Sequence, residues 1–286
     1  MSELPSVPAD VTASQADPRD AEQERIVTLL GQEWSVIADL LAGLTREQWS
    51  LPVLPGWDVH DVLAHLVGTE RTLTGAKHPQ VPDQLGEHVR NDIARLNEAW
   101  IVALRELSDA QLLAQFRTVT AQRLAALTAM TADDFFAPSW TPAGNATYDR
   151  FMKIRIFDCW MHEQDIRAAV GTPGNDGGAV ADQALAEVTG ALGYIIGKRG
   201  QAPQGSSVRI TLTGPIQREL NVVVAGKAQL VDALAGEPTA AIALSSSLFL
   251  RLTGGREDAR AALARVELAG DVGLGRQLAT NLAFTI

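Results

Sequence analysis

The chain has 286 residues, of which 46% are hydrophobic and 20% are charged, and its formal net charge is −10. This composition is typical of a globular protein with one large or two ordinary domains. The acidic balance argues against a nucleic-acid binder, which needs a basic face. No apolar run approaches the roughly 18–20 residues of a membrane helix, and the polar start contains no secretory signal, so we expect a cytoplasmic protein.

The cysteine and histidine content limits the kinds of site that the chain can build. Its single cysteine, Cys159, excludes an intrachain disulfide and any cysteine-based zinc cluster. Any histidine site must draw on the five histidines of the chain, which are His60, His65, His78, His88 and His162. Of these, His60 and His88 are expected to face solvent.

The first part of the chain predicts a leader and two helices. Residues 1–20 are rich in Pro, Ser, Ala and Asp and predict a flexible leader. Apolar residues recur at helical spacing over residues 21–44. After the Pro- and Gly-containing loop SLPVLPGWD, Asp58 is the expected N-cap of a second helix over residues 59–73. His65 lies beside the buried stripe of that helix, where a residue lining a pocket would lie.

Three more long helices are predicted over residues 85–107, 110–130 and 147–170. The last is expected to end at Gly171, and the segment FFAPSWTPAGNA before it is expected to be a loop. Long helices joined by short or medium loops indicate an antiparallel helical bundle. We therefore predict a bundle domain over residues 21–172.

The character of the sequence changes after Gly178. A helix is predicted over residues 180–196, and it is followed by β-branched or alternating runs with Gly-containing turns. These runs are SVRITLTG, RELNVVVAG, AAIALSS and ARVELAG. Short helical segments lie between them, so residues 179–286 predict a smaller α+β domain with a short, mostly antiparallel sheet.

The stretch RIFDCWMHEQDIR, from Arg155 to Arg167, is the strongest candidate for a functional site. In a helix, Arg155, Asp158, His162 and Asp165 lie on one face. Because the surrounding residues are mostly apolar, this helix should be buried. Burying charge is costly unless the groups pair or hold a metal. The stripe is therefore either a ladder of salt bridges or a metal site.

The metal hypothesis needs a third ligand from another helix. Asp158 and His162 are one turn apart and reach the same point, and His65 is the best third candidate. Two imidazoles and a carboxylate form a common catalytic zinc set, and the set also suits non-haem iron. Asp165 would orient an imidazole from behind, whereas Arg155 would pair with an aspartate of the stripe or face an anionic substrate.

The motifs GWDVHDVLAHL and RIFDCWMHEQDIR resemble the mycothiol-dependent maleylpyruvate isomerase family, within the DinB-like metal-binding four-helix bundles. The resemblance covers about residues 21–170, and the remainder resembles the C-terminal α+β domain of the family, which is related to sterol-carrier-type folds. It implies a divalent metal, usually zinc, on His65, Asp158 and His162. The acidic ligand of the family is typically Glu, so Asp158 places the metal closer to the helix or holds it more weakly.

The resemblance also implies an activity. The metal would bind the thiol of mycothiol, and the thiolate would attack a small electrophile, either for cis–trans isomerisation or for S-transfer. The family brings a basic residue from the C-terminal domain, for which Arg256 is the nearest match and Arg251 the second. Arg256 and Arg155 are thus the predicted catalytic arginines, and they would hold the carboxylates of the substrate.

Besides an oxygenase that would use non-haem iron, two other functions remain open from the sequence. One is a metal-free binding module that holds an apolar ligand in the C-terminal domain. The other is a zinc-dependent hydrolase that uses metal-bound water. The expected partners in the main hypothesis are a thiol and a small electrophile, with neither nucleic acid nor membrane, and the chain is expected to be a monomer or a homodimer.

Overall fold

The computed structural model describes residues 17–285, so most of the predicted leader lies outside the described residues. The first helix, α1 (Pro18–Ala42), begins inside that predicted leader, three residues before the expected start. It begins there because the Asp17 carboxylate accepts a hydrogen bond from the backbone N–H of Arg19, with Pro18 at the first helical position.

Five further helices precede the end of the bundle. They are α2 (Arg46–Trp49), α3 (Val59–Leu73), α4 (Asp92–Leu104), α5 (Asp109–Ala129) and α6 (Ala132–Phe135). The last long helix of this half is α7 (Tyr148–Val170), which ends at Gly171 with a left-handed φ of 72°. Helices α1, α3, α5 and α7 pack on one another as a four-helix bundle, which confirms the predicted architecture.

Helix α4 packs on the outer side of α3. The contact is close because Gly68 has no side chain: a Cβ there would lie 2.4 Å from Cβ of Trp100. The sequence predicted a longer helix over residues 85–107. The observed helix begins only after Asn91, whose side chain caps the backbone N–H of Ala94.

Two short hairpins lie where the sequence predicted loops. Strands β1 (Pro52–Leu54) and β2 (Trp57–Asp58) form the first, directly before α3. Strands β3 (Pro138–Thr141) and β4 (Gly144–Thr147) form the second, directly before α7. Each hairpin therefore leads into one of the two helices that carry the predicted metal ligands.

The second half of the chain begins with α8 (Gly178–Tyr194), which packs on α7 and continues into a π-helical turn (Ile195–Arg199). Five strands follow: β5 (Ser207–Thr213), β6 (Arg218–Ala225), β7 (Lys227–Val231), β8 (Ala240–Ser245) and β9 (Glu267–Gly270). Their order is β7-β6-β5-β8-β9, and all neighbours are antiparallel except β5 and β8. The predicted α+β class with a mostly antiparallel sheet is confirmed.

Short helices complete this half, namely α9 (Ser246–Thr253), α10 (Ala259–Ala262) and α11 (Val272–Ala279). The segment after α9 and the end of the chain both lie against α7. There the rings of Phe284 and Phe157 have centroids 6.3 Å apart, and the backbone N–H of Phe284 donates to the Thr253 carbonyl. Among the described residues, no helix is long and apolar enough to cross a membrane.

Candidate metal site

Local structure at the start of α3 positions His65. The Asp58 carboxylate accepts from the backbone N–H of Asp61 at 2.9 Å, and the Asp61 carboxylate accepts from the backbone N–H of Asp58 at 3.4 Å. This capping box, suggested by the sequence, fixes the first turn of α3. His65 follows one turn later, buried and facing α7.

The structure brings the three predicted ligands together between α3 and α7. Nε2 of His65 lies 3.4 Å from Oδ2 of Asp158, and Nε2 of His162 lies 3.6 Å from Oδ1 of the same residue. One potential ligand atom from each residue lies within 4.8 Å of the other two. Two imidazole nitrogens and one carboxylate oxygen at this separation fit a divalent transition metal in their chemistry.

The two imidazoles differ in their surroundings. Nδ1 of His162 lies 3.4 Å from Oδ2 of Asp165, and no carboxylate lies at this distance from Nδ1 of His65 among the described contacts; neither Nδ1 atom forms a hydrogen bond with the described residues. Burial lowers the pKa of His65, although the neighbouring Asp158 carboxylate opposes that shift. His65 is therefore neutral near pH 7, which is the state that binds a metal.

Asp158 is the part of the cluster that opens to solvent, with 30% of its side chain exposed. Desolvation raises the pKa of Asp158, but the Arg155 guanidinium and the hydrogen bond with His65 outweigh it and hold this pKa well below its ordinary value. The carboxylate is thus ionised at neutral pH. The indole of Trp57, on β2, forms a wall beside the cluster, with ring centroids 5.4 Å from His65 and 6.2 Å from His162.

Arg155 lies behind Asp158, and its side chain is only 4% exposed. It donates to Asp158, and it also donates twice to Oε1 of Glu70, at 3.0 and 2.8 Å. Of the two roles that the sequence suggested for Arg155, the structure places it in a pair with Asp158. It also contacts the sulfur of Cys159.

Arg256 reaches the cluster from the second half of the chain, but through an intermediate residue. Its Nε lies 3.1 Å from Oδ2 of Asp165, and its NH1 donates to the carbonyl of Gly254 at 2.7 Å. The second candidate, Arg251, is farther, with NH1 4.0 Å from Oδ1 of Asp165. Burial raises the pKa of Asp165, yet the hydrogen bond with His162 and the charge of Arg256 lower it overall.

The remaining histidines and the cysteine lie outside the cluster. The prediction that His60 faces solvent is wrong: it is 9% exposed, and its Nε2 lies 3.0 Å from the Leu107 carbonyl. His88 is partly buried, with Nε2 3.3 Å from a Glu98 oxygen. Cys159 is fully buried, and burial raises the pKa of its thiol, so it has no nucleophilic character.

Three buried residues near the cluster were not singled out from the sequence. Glu70 pairs with Arg155 and with Arg123 of α5, and Glu98 of α4 accepts the indole N–H of Trp57 at 3.1 Å. Glu70 is five residues after His65, and this spacing places it on a different face of α3, so helical periodicity alone does not point to it. Nothing in the local sequence points to Arg123 or Glu98.

The fold and the site together define a helical-bundle protein with a histidine–carboxylate cluster between two bundle helices and an α+β sheet after the bundle. Residues 30–167 match the family model described as the mycothiol maleylpyruvate isomerase N-terminal domain. Over these residues, the chain is therefore similar to the N-terminal domain of that family. No curated protein sequence matches the chain.

Two similar crystal structures extend the likeness in fold beyond the bundle. The mycothiol-dependent maleylpyruvate isomerase has a TM-score of 0.54 and 17% identity, covering 82% of this chain and 90% of that chain. A histidine-to-alanine variant of that isomerase has a TM-score of 0.56 and 16% identity, covering 86% of this chain and 92% of that chain. Most of both halves of the chain thus shares its fold with that isomerase. The predicted relation of the second half to sterol-carrier-type folds stays a prediction.

Proposed function

We propose that this chain is a divalent-metal enzyme that uses a low-molecular-weight thiol, mycothiol in the first instance, to isomerise or thiolate a small electrophile. Zinc is the metal that we favour, because a two-histidine, one-carboxylate set is common in catalytic zinc sites. The observation that carries the proposal is the convergence of His65, Asp158 and His162 within 4.8 Å of one another. Similarity to the mycothiol maleylpyruvate isomerase N-terminal domain supports the choice of mycothiol as the thiol and of a small electrophile as the substrate.

A bound divalent metal would act as a Lewis acid and lower the pKa of a thiol that it coordinates. The side chains of the protein would hold that metal. His65 and His162 offer neutral imidazole nitrogens, and Asp158 offers an ionised carboxylate on the solvent-facing side. Because the thiol supplies the nucleophile, the inert Cys159 is consistent with this chemistry.

Two arginines hold the carboxylates of the cluster in this proposal. Arg155 holds Asp158, and Arg256 holds Asp165, which faces His162. The side chain of Arg256 is 20% exposed and lies beside Asp165, so Arg256 is also a candidate to meet a substrate carboxylate. Trp57 covers one side of the two imidazoles and limits the access of water.

The test combines metal content with thiol dependence. Protein purified without chelator is expected to hold close to one divalent metal per chain by elemental analysis and to turn over an activated cis-enoic acid only when mycothiol is added. His65→Ala is expected to lose the metal and the turnover. His60→Ala is the matched control, because His60 lies on the same helix, is similarly buried and contacts only the Leu107 carbonyl among polar groups.

Other results would point to other functions. Absence of metal in the wild-type protein, together with wild-type turnover by His65→Ala, would overturn the proposal. Turnover of esters or amides without any thiol would favour a metal-dependent hydrolase instead. Co-purification of an apolar ligand with a protein free of metal would favour a binding module.

A further inference from the structure

Glu70 connects the two helices that carry the proposed ligands. It lies on α3, beyond His65, and it is 1% exposed. Its Oε1 accepts two hydrogen bonds from Arg155 of α7, at 3.0 and 2.8 Å. The ligand helices α3 and α7 are therefore joined by a buried, charge-assisted pair a short distance from the cluster.

The position of Glu70 is fixed from a third helix as well. Its other oxygen, Oε2, accepts from Nε of Arg123 on α5 at 3.0 Å. Arg123 in turn donates from NH2 to the hydroxyl of Tyr148 at 2.8 Å. Both oxygens of Glu70 thus have charged partners, which makes this carboxylate a rigid anchor rather than a mobile surface group.

Arg155 links Glu70 to Asp158, because its guanidinium contacts both carboxylates. The guanidinium contacts Oδ2 of Asp158, the same oxygen that faces Nε2 of His65. The other oxygen, Oδ1, faces Nε2 of His162 and has no arginine donor among the described contacts of this carboxylate. The planar guanidinium is therefore placed to hold the Asp158 carboxylate with one oxygen toward each histidine.

We propose that Glu70 and Arg155 are positioning residues that fix the Asp158 carboxylate for metal binding. This inference rests on the proposed function, because it assigns the pair a role toward the same metal. The side chain of Asp158 has a single methylene group between the backbone and the carboxylate, so its carboxylate lies close to α7. The geometry places Glu70 and Arg155 to hold the Asp158 carboxylate in one orientation.

A purely structural role of the pair would affect folding stability and not metal affinity in particular. A buried ion pair between two helices affects folding stability whether or not it touches a ligand. Arg150 and Glu187 offer a partly buried interhelical pair for comparison: they join α7 to α8, with both terminal guanidinium nitrogens on the carboxylate, away from the cluster. Glu187→Gln is thus the control variant for Glu70→Gln, since both replace a paired carboxylate by a nearly isosteric amide.

The experiment measures zinc affinity by competition with a chromophoric chelator, and the visible spectrum of the cobalt-substituted protein. We expect Glu70→Gln and Arg155→Met to weaken zinc binding by about 10- to 100-fold and to change the cobalt spectrum, because Asp158 is no longer held. Glu187→Gln is expected to keep the affinity and spectrum of the wild type. Circular dichroism establishes that each variant is folded; if Arg155→Met is not, Glu70→Gln decides.

Three outcomes overturn the inference, and they are distinguishable. If the wild type binds zinc and Glu70→Gln binds it with the same affinity and the same cobalt spectrum, the positioning role is wrong while the metal site stands. If the wild type binds neither zinc nor cobalt, the proposed function fails and the inference fails with it. An equal loss of affinity in Glu187→Gln would also overturn it, since the effect would then be one of general stability.

Discussion

Oδ2 of Asp165 lies 3.4 Å from Nδ1 of His162, on the side of the ring opposite Nε2, which faces Asp158. A carboxylate in this position favours a proton on Nδ1 and leaves the lone pair of Nε2 free for a metal. His65 has no equivalent partner among the described residues. The two imidazoles are therefore unequal as ligands, and His162 is the one that the surrounding structure orients.

Asp165→Asn should weaken metal binding, because an amide can turn its N–H₂ toward Nδ1 and no longer attracts the proton there. We expect zinc affinity to fall by about 10- to 100-fold, as measured by chelator competition. Asp149→Asn is the control, since Asp149 lies on the same helix and pairs with Lys153 at a distance from the cluster. Unchanged affinity in Asp165→Asn would show that Asp165 does not orient His162.

Arg256→Met should have its effect on metal binding only through Asp165. Because Arg256 pairs with Asp165 and not with a ligand, the double variant with Asp165→Asn should bind zinc no more weakly than Asp165→Asn alone, within about threefold. Additive losses of zinc affinity in this double-mutant cycle would contradict an effect of Arg256 that passes only through Asp165.

The same cycle separates a second role of Arg256. If its guanidinium also meets a substrate carboxylate, Arg256→Met will raise KM even in the Asp165→Asn background. Arg260→Met, an exposed arginine on α10, is the control for a general loss of positive charge. An increase in KM equal to that control would exclude direct contact with substrate.

Glu33→Gln should remove a pH dependence of stability. Glu33 is fully buried beside Glu163, and burial, followed by the charge of Glu163, raises the pKa of Glu33 well above its ordinary value. The folded state thus holds a proton that the unfolded state releases. The associated stability is complete below about pH 4.5 and is lost as the pH rises toward the folded pKa, by up to about 1.4 kcal/mol per pH unit.

Chemical denaturation at several pH values between 5 and 8 would test this prediction. The slope of the unfolding free energy against pH should differ between the wild type and Glu33→Gln by the equivalent of about one proton. Glu24→Gln, on the exposed face of α1, should keep the slope of the wild type. The same slope in Glu33→Gln and the wild type would mean that Glu33 is ionised in the folded protein. Asn175, which donates to the carboxyl groups of Glu33 and Glu163, would then be the main group that stabilises the charge.

Cys159 should resist alkylation in the folded protein. It is fully buried, and burial raises the pKa of its thiol, so almost no thiolate is exposed to reagent at pH 8. Iodoacetamide followed by mass spectrometry should label it only after denaturation. Cys159→Ala should keep turnover within about twofold, because the proposed nucleophile is a free thiol; a loss of turnover in folded protein would give Cys159 a role in chemistry.

The helical half of the fold could be predicted well because its signals are local. The bounds of α3 are those expected from the capping box and the apolar stripe, and α7 ends at the expected glycine. The start of α4 was predicted too early, because the polar residues before Asn91 have no strong helix-breaking pattern. Strand β7 was missed since its sequence KAQLV is polar and mostly exposed at the sheet edge.

The cluster of His65, Asp158 and His162 was predicted because helical spacing and a hydrophobic stripe place side chains on known faces. Its support could be predicted only in part. Asp165 and Arg155 lie on the same helix as two of the ligands, so their proximity follows from spacing. Arg123 and Glu98 come from other helices, and their approach depends on how α4 and α5 pack, which no short motif encodes.

The buried chain behind Asp158 alternates in sign, since Arg123 and Arg155 are positive while Glu70 and Asp158 are negative. Their charges cancel, as do those of Asp165 and Arg256. In the proposed function, a divalent cation would therefore add positive charge to a pocket in which the buried ion pairs, including that of Asp158 with Arg155, are already balanced. An electrophile bearing a carboxylate, together with a thiolate, would complete the balance, so the pocket should select anionic substrates over neutral ones of the same shape.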